Sequence, residues 1–126
     1  DDPRLQRMAV LDILLNNADR KGGHILAGAD GVVYGIDHGI CLHREDKLRT
    51  VLWGWAGDPL RPRDVDRLSA LAADLERRDS AVTLALASLL PAGDLSALRD
   101  RVAGLLAEGK YPQPSGEWPA IPWPAL

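Results

Sequence analysis

The chain reads as an α+β domain, mainly helical, with one small β-hairpin. Three observations predict this. Four stretches carry apolar residues at helical spacing, two short β-type runs flank an Asp-Gly pair, and a proline-rich stretch from Tyr111 onward excludes regular structure there. The 126 residues suit one domain, and an apolar fraction of 46% is enough for a core. A formal net charge of -3 argues against a chain that holds nucleic acid by neutralising phosphates. No apolar run approaches the roughly 20 residues needed to span a bilayer. The single cysteine, Cys41, cannot form an internal disulfide, so the expected compartment is a reducing cytoplasm. Arginine far outnumbers lysine, which we read as the codon habit of a GC-rich bacterial genome.

The first helix opens at Asp2-Pro3. Asp2 suits the capping position and Pro3 the first helical one. Leu5, Met8 to Leu11 and Ile13 to Leu15 then leave few polar breaks, so this helix is expected to be buried nearly all round. Asp12 lies inside that run. A carboxylate there must be paired, and Arg20 is the plausible partner. Asn16 to Gly23 has loop composition, and Asn17 is expected to pin the loop.

His24 to Ala27 and Val32 to Asp37 read as the hairpin strands. If Asp30-Gly31 forms a two-residue type I′ turn, Ala29 faces Val32 and His24 lies directly opposite Asp37, with Cα atoms about 4.5 Å apart. Leu26 then shares the face of His24 and Asp37, and Ile25, Ala27, Tyr34 and Ile36 take the other. Three further helices are expected, over about 63–77, 80–90 and 94–109. The second is almost wholly apolar, so it joins the first helix as a buried spine. Residues 1–110 form the domain, and 111–126 lie extended on the surface with Trp118 and Trp123 as anchors.

Phosphoryl transfer needs a carboxylate to accept the proton of the attacking hydroxyl, ligands for the metal that bridges the phosphates, and a cation. Asp19 sits in the loop, Lys21 follows it, and His24 comes five residues after Asp19. The hairpin returns Asp37 beside His24, with Gly39 just beyond. Leu26, on the ligand face, would floor an adenine ring. Plainer readings stand beside these: a turn aspartate at 19, a water-exposed strand-end aspartate at 37, a cross-strand partner at His24, a solvated Lys21. Trp53 and Trp55 read as packing anchors, with a substrate-facing role as the alternative. Cys41 reads as a small buried apolar residue.

Val10 to Arg20 resembles the catalytic loop of type II phosphatidylinositol 4-kinases through Asp12, Asn17, Asp19 and Arg20. Gly35 to Ile40 resembles that family's metal segment through Ile36, Asp37 and Gly39. The chain is similar to the phosphatidylinositol 3-/4-kinase-like superfamily, clearly so from Val10 to Leu42. The resemblance implies a fold like a kinase C-terminal lobe and use of ATP with Mg²⁺ or Mn²⁺. It implies Asp19, Lys21 and Asn17 as catalytic residues, His24 and Asp37 as metal ligands, and Leu26 and Ile36 against the nucleotide. Relatives place Asn where this chain has His24, and imidazole suits Mn²⁺ or Zn²⁺ better than Mg²⁺. No glycine-rich loop or strand lysine precedes the motifs, so the expected partner is a missing N-terminal lobe of the same protein. The expected substrate is a hydroxyl of unknown kind, on protein, lipid or small molecule. Two other classes compete: a pseudokinase or nucleotide-binding interaction module, and a metal-dependent hydrolase using His24, Asp37 and His38.

Overall fold

The computed structural model describes residues 1–126. Helix α1 (Pro3–Leu15) leads through a 3₁₀ turn at Gly22–His24 into β1 (Ile25–Ala27) and β2 (Val33–Gly35). A long irregular segment then precedes α2 (Pro62–Glu76), α3 (Ala81–Leu89) and α4 (Ala92–Glu108). Asp2 caps α1 by accepting from the Arg4 N–H, with Pro3 in the first turn. Ser80 caps α3, accepting from the Thr83 N–H. Gly109 ends α4 in the left-handed conformation that glycine adopts without cost. Residues 111–126 form neither helix nor strand.

Helix α4 is the hub, packing on α1, α2 and α3. Its stripe Leu95, Leu98, Val102 and Leu105 meets Ala9, Val10 and Leu14 of α1 and Leu68 and Leu75 of α2 in one core. Tyr111 closes that core, and Trp55 packs on it, its ring 6.3 Å from that of Tyr111. Three expectations need correction. The buried spine is α1 with α4, not α1 with the apolar stretch 80–90. In α3 only Thr83 is buried, and Leu84 and Leu89 stand 58% and 78% exposed. Apolar residues all round a helix bury only if neighbours cover every side, and α3 has neighbours on one side alone. Leu11 of α1 is likewise exposed. Trp123 is exposed and anchors nothing, whereas Pro122 beside it is buried.

The hairpin differs from the expected one by a single residue. The partners are Ile25 with Gly35, Leu26 with Tyr34 and Ala27 with Val33. Gly28 therefore faces Val32, and the loop is Ala29-Asp30-Gly31. The Gly31 N–H bonds the Gly28 carbonyl at 3.1 Å, and Gly31 has φ +78°. This is the three-residue hairpin loop, a tight turn followed by a left-handed residue. Asp30 stabilises it by accepting from the Val32 N–H at 3.0 Å and from the Tyr34 hydroxyl at 2.7 Å. A one-residue slip changes every cross-strand partner. Leu26 accordingly shares a face with Tyr34, Ile36 and His24.

The corrected core makes a contrast that denaturant unfolding can check. Leu98→Ala in α4 is expected to cost about 2–5 kcal/mol. Leu89→Ala in α3 should change stability by about 0.5 kcal/mol or less.

Candidate active site

The site is built around a buried ion pair. Asp12 on α1 and Arg20 in the following loop are both fully buried. Arg20 Nε donates to the two Asp12 oxygens at 3.0 and 3.1 Å, and Nη2 lies 2.9 Å from Oδ1. Asp12 also accepts from Asn17 Nδ2 and from the Thr50 hydroxyl, each at 3.2 Å. The rest of the guanidinium reaches the hairpin. Nη1 donates to the carbonyls of Ile36 at 3.1 Å and His24 at 3.4 Å. Nη2 lies 2.7 Å from His38 Nε2. Arginine only donates, so His38 Nε2 is the acceptor there. Gly35 makes room for this: a Cβ would stand 3.2 Å from Arg20 Nη1 and 3.2 Å from Met8 Cε.

The loop is pinned on both sides of Asp19. Asn16 takes φ +50° and donates through its side chain to the carbonyls of His43 and Glu45, at 2.9 and 2.5 Å. The Asn17 side-chain oxygen accepts from the Asp19 N–H at 3.0 Å, so Asn17 does fix the loop. Arg20 pairs with Thr50 in a parallel bridge, its N–H bonding Arg49 O at 3.0 Å and its carbonyl accepting from Val51 N at 3.1 Å. The Asp19 carboxylate itself is half-buried and makes no hydrogen bond or ion pair within the chain; the Lys21 ammonium makes none either.

His24 and Asp37 meet by a route different from the expected one. In the observed register His24 stands opposite Ile36, whose N–H bonds the His24 carbonyl at 2.9 Å. Strand alternation alone would send Asp37 to the opposite face. Asp37 instead leaves the strand with φ +59°, a left-handed conformation that aspartate tolerates better than most residues. His24 Nε2 and Asp37 Oδ2 then lie 3.4 Å apart. His24 Nδ1 lies 2.9 Å from the Asp19 carbonyl, which can only accept, and 3.5 Å from the Lys21 N–H; the shorter contact requires a proton on Nδ1. In the neutral imidazole Nε2 presents a lone pair towards a carboxylate oxygen. Two acceptors at this separation suit ligands of one divalent ion, which would stand ~3 Å apart around an octahedral ion at roughly 2.1 Å from each. Donation of the other ring N–H to a backbone carbonyl is the usual support of a metal-bound histidine.

No cluster of three or more His, Cys, Asp or Glu side chains suited to a metal occurs in the chain. Further ligands would have to be water and phosphate oxygens, as is common for Mg²⁺. Leu26 and Ile36 stand 45% and 42% exposed beside this pair, on the face that also carries Tyr34. Cys41 stays a thiol: burial first, then the charge of Asp12, pushes its ionisation up. His38 is committed to Arg20 and His43 Nδ1 accepts from the Glu45 N–H, so neither joins the pair.

Residues 4–63 match the family described as Phosphatidylinositol 3- and 4-kinase, a stretch that contains every residue of this site. The match takes in just under half of the chain and supports assignment to a phosphatidylinositol 3-/4-kinase-like superfamily. It is 55% identical over its whole length to Protein Rv2133c of Mycobacterium tuberculosis, covering 44% of that protein. It is 38% identical over 77 residues to Phosphatidylinositol 4-kinase gamma 4 of Oryza sativa subsp. japonica, covering 14% of it. The chain thus spans less than half the length of the curated relatives it matches, and the mycobacterial relative fits a bacterial origin. No solved structure matches. No helix is long and apolar enough to cross a membrane.

Of the residues that build the site, Thr50 and Arg49 lie outside both motif segments, and Gly35 is not one of the matching positions. Only Gly35 left a trace, since a glycine inside a strand often marks close approach of another group. For the buried Asp12–Arg20 pair the expectation is a large stability loss. Asp12→Ala leaves Arg20 buried and unpaired, which should cost about 3–5 kcal/mol in denaturant unfolding.

Proposed function

We propose that this chain carries the proton-accepting and metal-binding half of an ATP-dependent, kinase-like phosphotransferase that moves the γ-phosphate to a hydroxyl. The observation that carries the reading is the link between Asp19 and His24. The residue whose carboxylate would act as base also holds, through its own carbonyl, the ring that faces Asp37. One short loop would therefore hold both the base and the histidine ligand.

Each residue takes a role its geometry suits. The free Asp19 carboxylate accepts the proton of the attacking hydroxyl. Asn17 keeps Asp19 in place through its backbone N–H. Lys21, with no partner in the chain, steadies the phosphoryl group as a point charge. Leu26 and Ile36 offer an apolar floor for the adenine ring. A divalent ion held by His24 and Asp37 would offset charge on the bridging phosphate oxygens. The imidazole nitrogen favours Mn²⁺ over Mg²⁺ relative to an amide ligand. The family name points to lipid head-group hydroxyls among possible acceptors, and the printed name of the rice relative agrees. The hydrolase alternative loses support because His38 is held by Arg20.

In the full-length protein, Asp19→Asn should lower the transfer rate on the order of 10²–10⁴-fold with nucleotide binding retained. Near-normal single-turnover transfer in that variant would remove Asp19 as the base. Asp37→Ala should abolish metal-dependent nucleotide binding measured by calorimetry. His24→Asn should move the metal preference from Mn²⁺ towards Mg²⁺. Tight nucleotide binding by the wild type with no transfer to any hydroxyl would mark a pseudokinase instead.

A further inference from the structure

The proline-rich segment after α4 is held in a way that the chemistry above does not require. At its start Tyr111 is buried, its N–H bonding Asp58 O at 2.9 Å and its carbonyl accepting from Gly57 N at 2.8 Å. From Pro112 to Ser115 it roofs a cavity of about 450 Å³ beside α4. Beyond that, besides the buried Pro122, polar and ring contacts hold it to the chain.

Three anchors follow. The Trp118 ring takes Lys47 Nζ at 5.3 Å and the Arg49 guanidinium at 5.1 Å from its centroid. The Ala120 carbonyl accepts from Thr50 N at 3.0 Å and from Trp53 Nε1 at 2.8 Å. The Ala125 carbonyl accepts from Gly22 N at 2.7 Å. Each anchor lands on at least one residue that is itself bonded to, or part of, the candidate loop. Arg49 Nε donates to Ala18 O at 2.7 Å, Thr50 bridges Arg20, and Gly22 sits between Lys21 and His24.

The turn Gly22–His24 needs such help. None of its residues is buried, and two of the three are glycines, which lose the most conformational freedom on ordering. Its tie to the buried residues lies at the His24 end, where Arg20 Nη1 donates to the His24 carbonyl at 3.4 Å. We propose that Trp118 to Ala125 is a positioning strap, which orders the turn so that His24 is presented to Asp37. The strap thereby sets the metal affinity of the site, a role that rests on the metal reading given above.

Two substitutions release the strap at different anchors in the full-length protein. Gly22→Pro deletes the N–H that bonds Ala125. Lys21 already has φ −87° and ψ 159°, the extended backbone that a residue before proline needs. A Cβ at position 22 would meet only the tip of exposed Leu126, at 3.0 Å, and the Ala125 carbonyl at 3.5 Å. Trp118→Ala removes the stacked ring. Trp118→Phe is the control: the Trp118 indole N–H has no partner, so phenylalanine gives up no hydrogen bond.

Two readouts are taken, amide hydrogen exchange at His24 and Ile36 and the dissociation constant for Mn²⁺ alone. Gly22→Pro and Trp118→Ala should each speed exchange at His24 and weaken Mn²⁺ binding about ten-fold, the loss typical of removing an outer support of a metal ligand. The double variant should lose much less than the product of the two, because both cut one connection. Trp118→Phe should stay near wild type. Unchanged exchange at His24 in both single variants overturns the strap. So does unchanged Mn²⁺ affinity when wild type binds the ion through His24 and Asp37. If wild type binds no Mn²⁺, the metal reading fails, and the strap is then decided by exchange at His24 alone.

Discussion

The Asp12–Arg20 pair is the constraint on which the rest of the site depends. It joins three parts of the chain at one buried point: the last turns of α1, the loop with Asp19, and the base of the hairpin. A buried pair is a poor source of net stability, because removing both charges from water costs nearly what their attraction returns. What this one supplies is position. Asp12 is satisfied by Arg20, Asn17 and Thr50, and Arg20 spends its remaining donors on the carbonyls of Ile36 and His24 and on His38. The residues on either side of the candidate metal pair are thereby tied to α1, whose inner face is fixed by the core through Ala9, Val10 and Leu14.

Much of this could be read before any coordinates. A carboxylate in an apolar helix has few ways to be stable, so the pairing of Asp12 with an arginine just beyond the helix followed from burial cost alone. The caps at Asp2 and Gly109 and the stripe on α4 followed from local rules that tertiary contacts did not override. The hairpin itself was legible, but its register was not. Asp-Gly serves both a two-residue loop and the last two positions of a three-residue loop. Only the carbonyl of Gly28, free to accept from Gly31, decides between them. The slip moved Leu26 onto the face of Tyr34 and Ile36, and the left-handed turn at Asp37 undid its effect on His24. The two side chains meet through a backbone conformation that strand alternation does not describe.

What stayed hidden has one cause: contacts between residues far apart in sequence that use backbone atoms. Thr50 and Arg49 reach the loop through main-chain bonds that no side-chain pattern records. The segment after Tyr111 holds Gly22 and Thr50 through its carbonyls, which any sequence possesses. The apolar stretch 81–89 misleads for the complementary reason. Hydrophobicity reports what a helix would bury if covered, and α3 has cover on one side only.

The central claim is that His24 and Asp37 share one divalent ion with the nucleotide. Pulsed electron paramagnetic resonance of Mn²⁺ bound with ATP to the full-length protein tests it most directly. The expected result is a coupling from one imidazole nitrogen that disappears in His24→Asn while Mn²⁺ stays bound. A bound Mn²⁺ with no nitrogen coupling in the wild type, or the same coupling in His24→Asn, would contradict it.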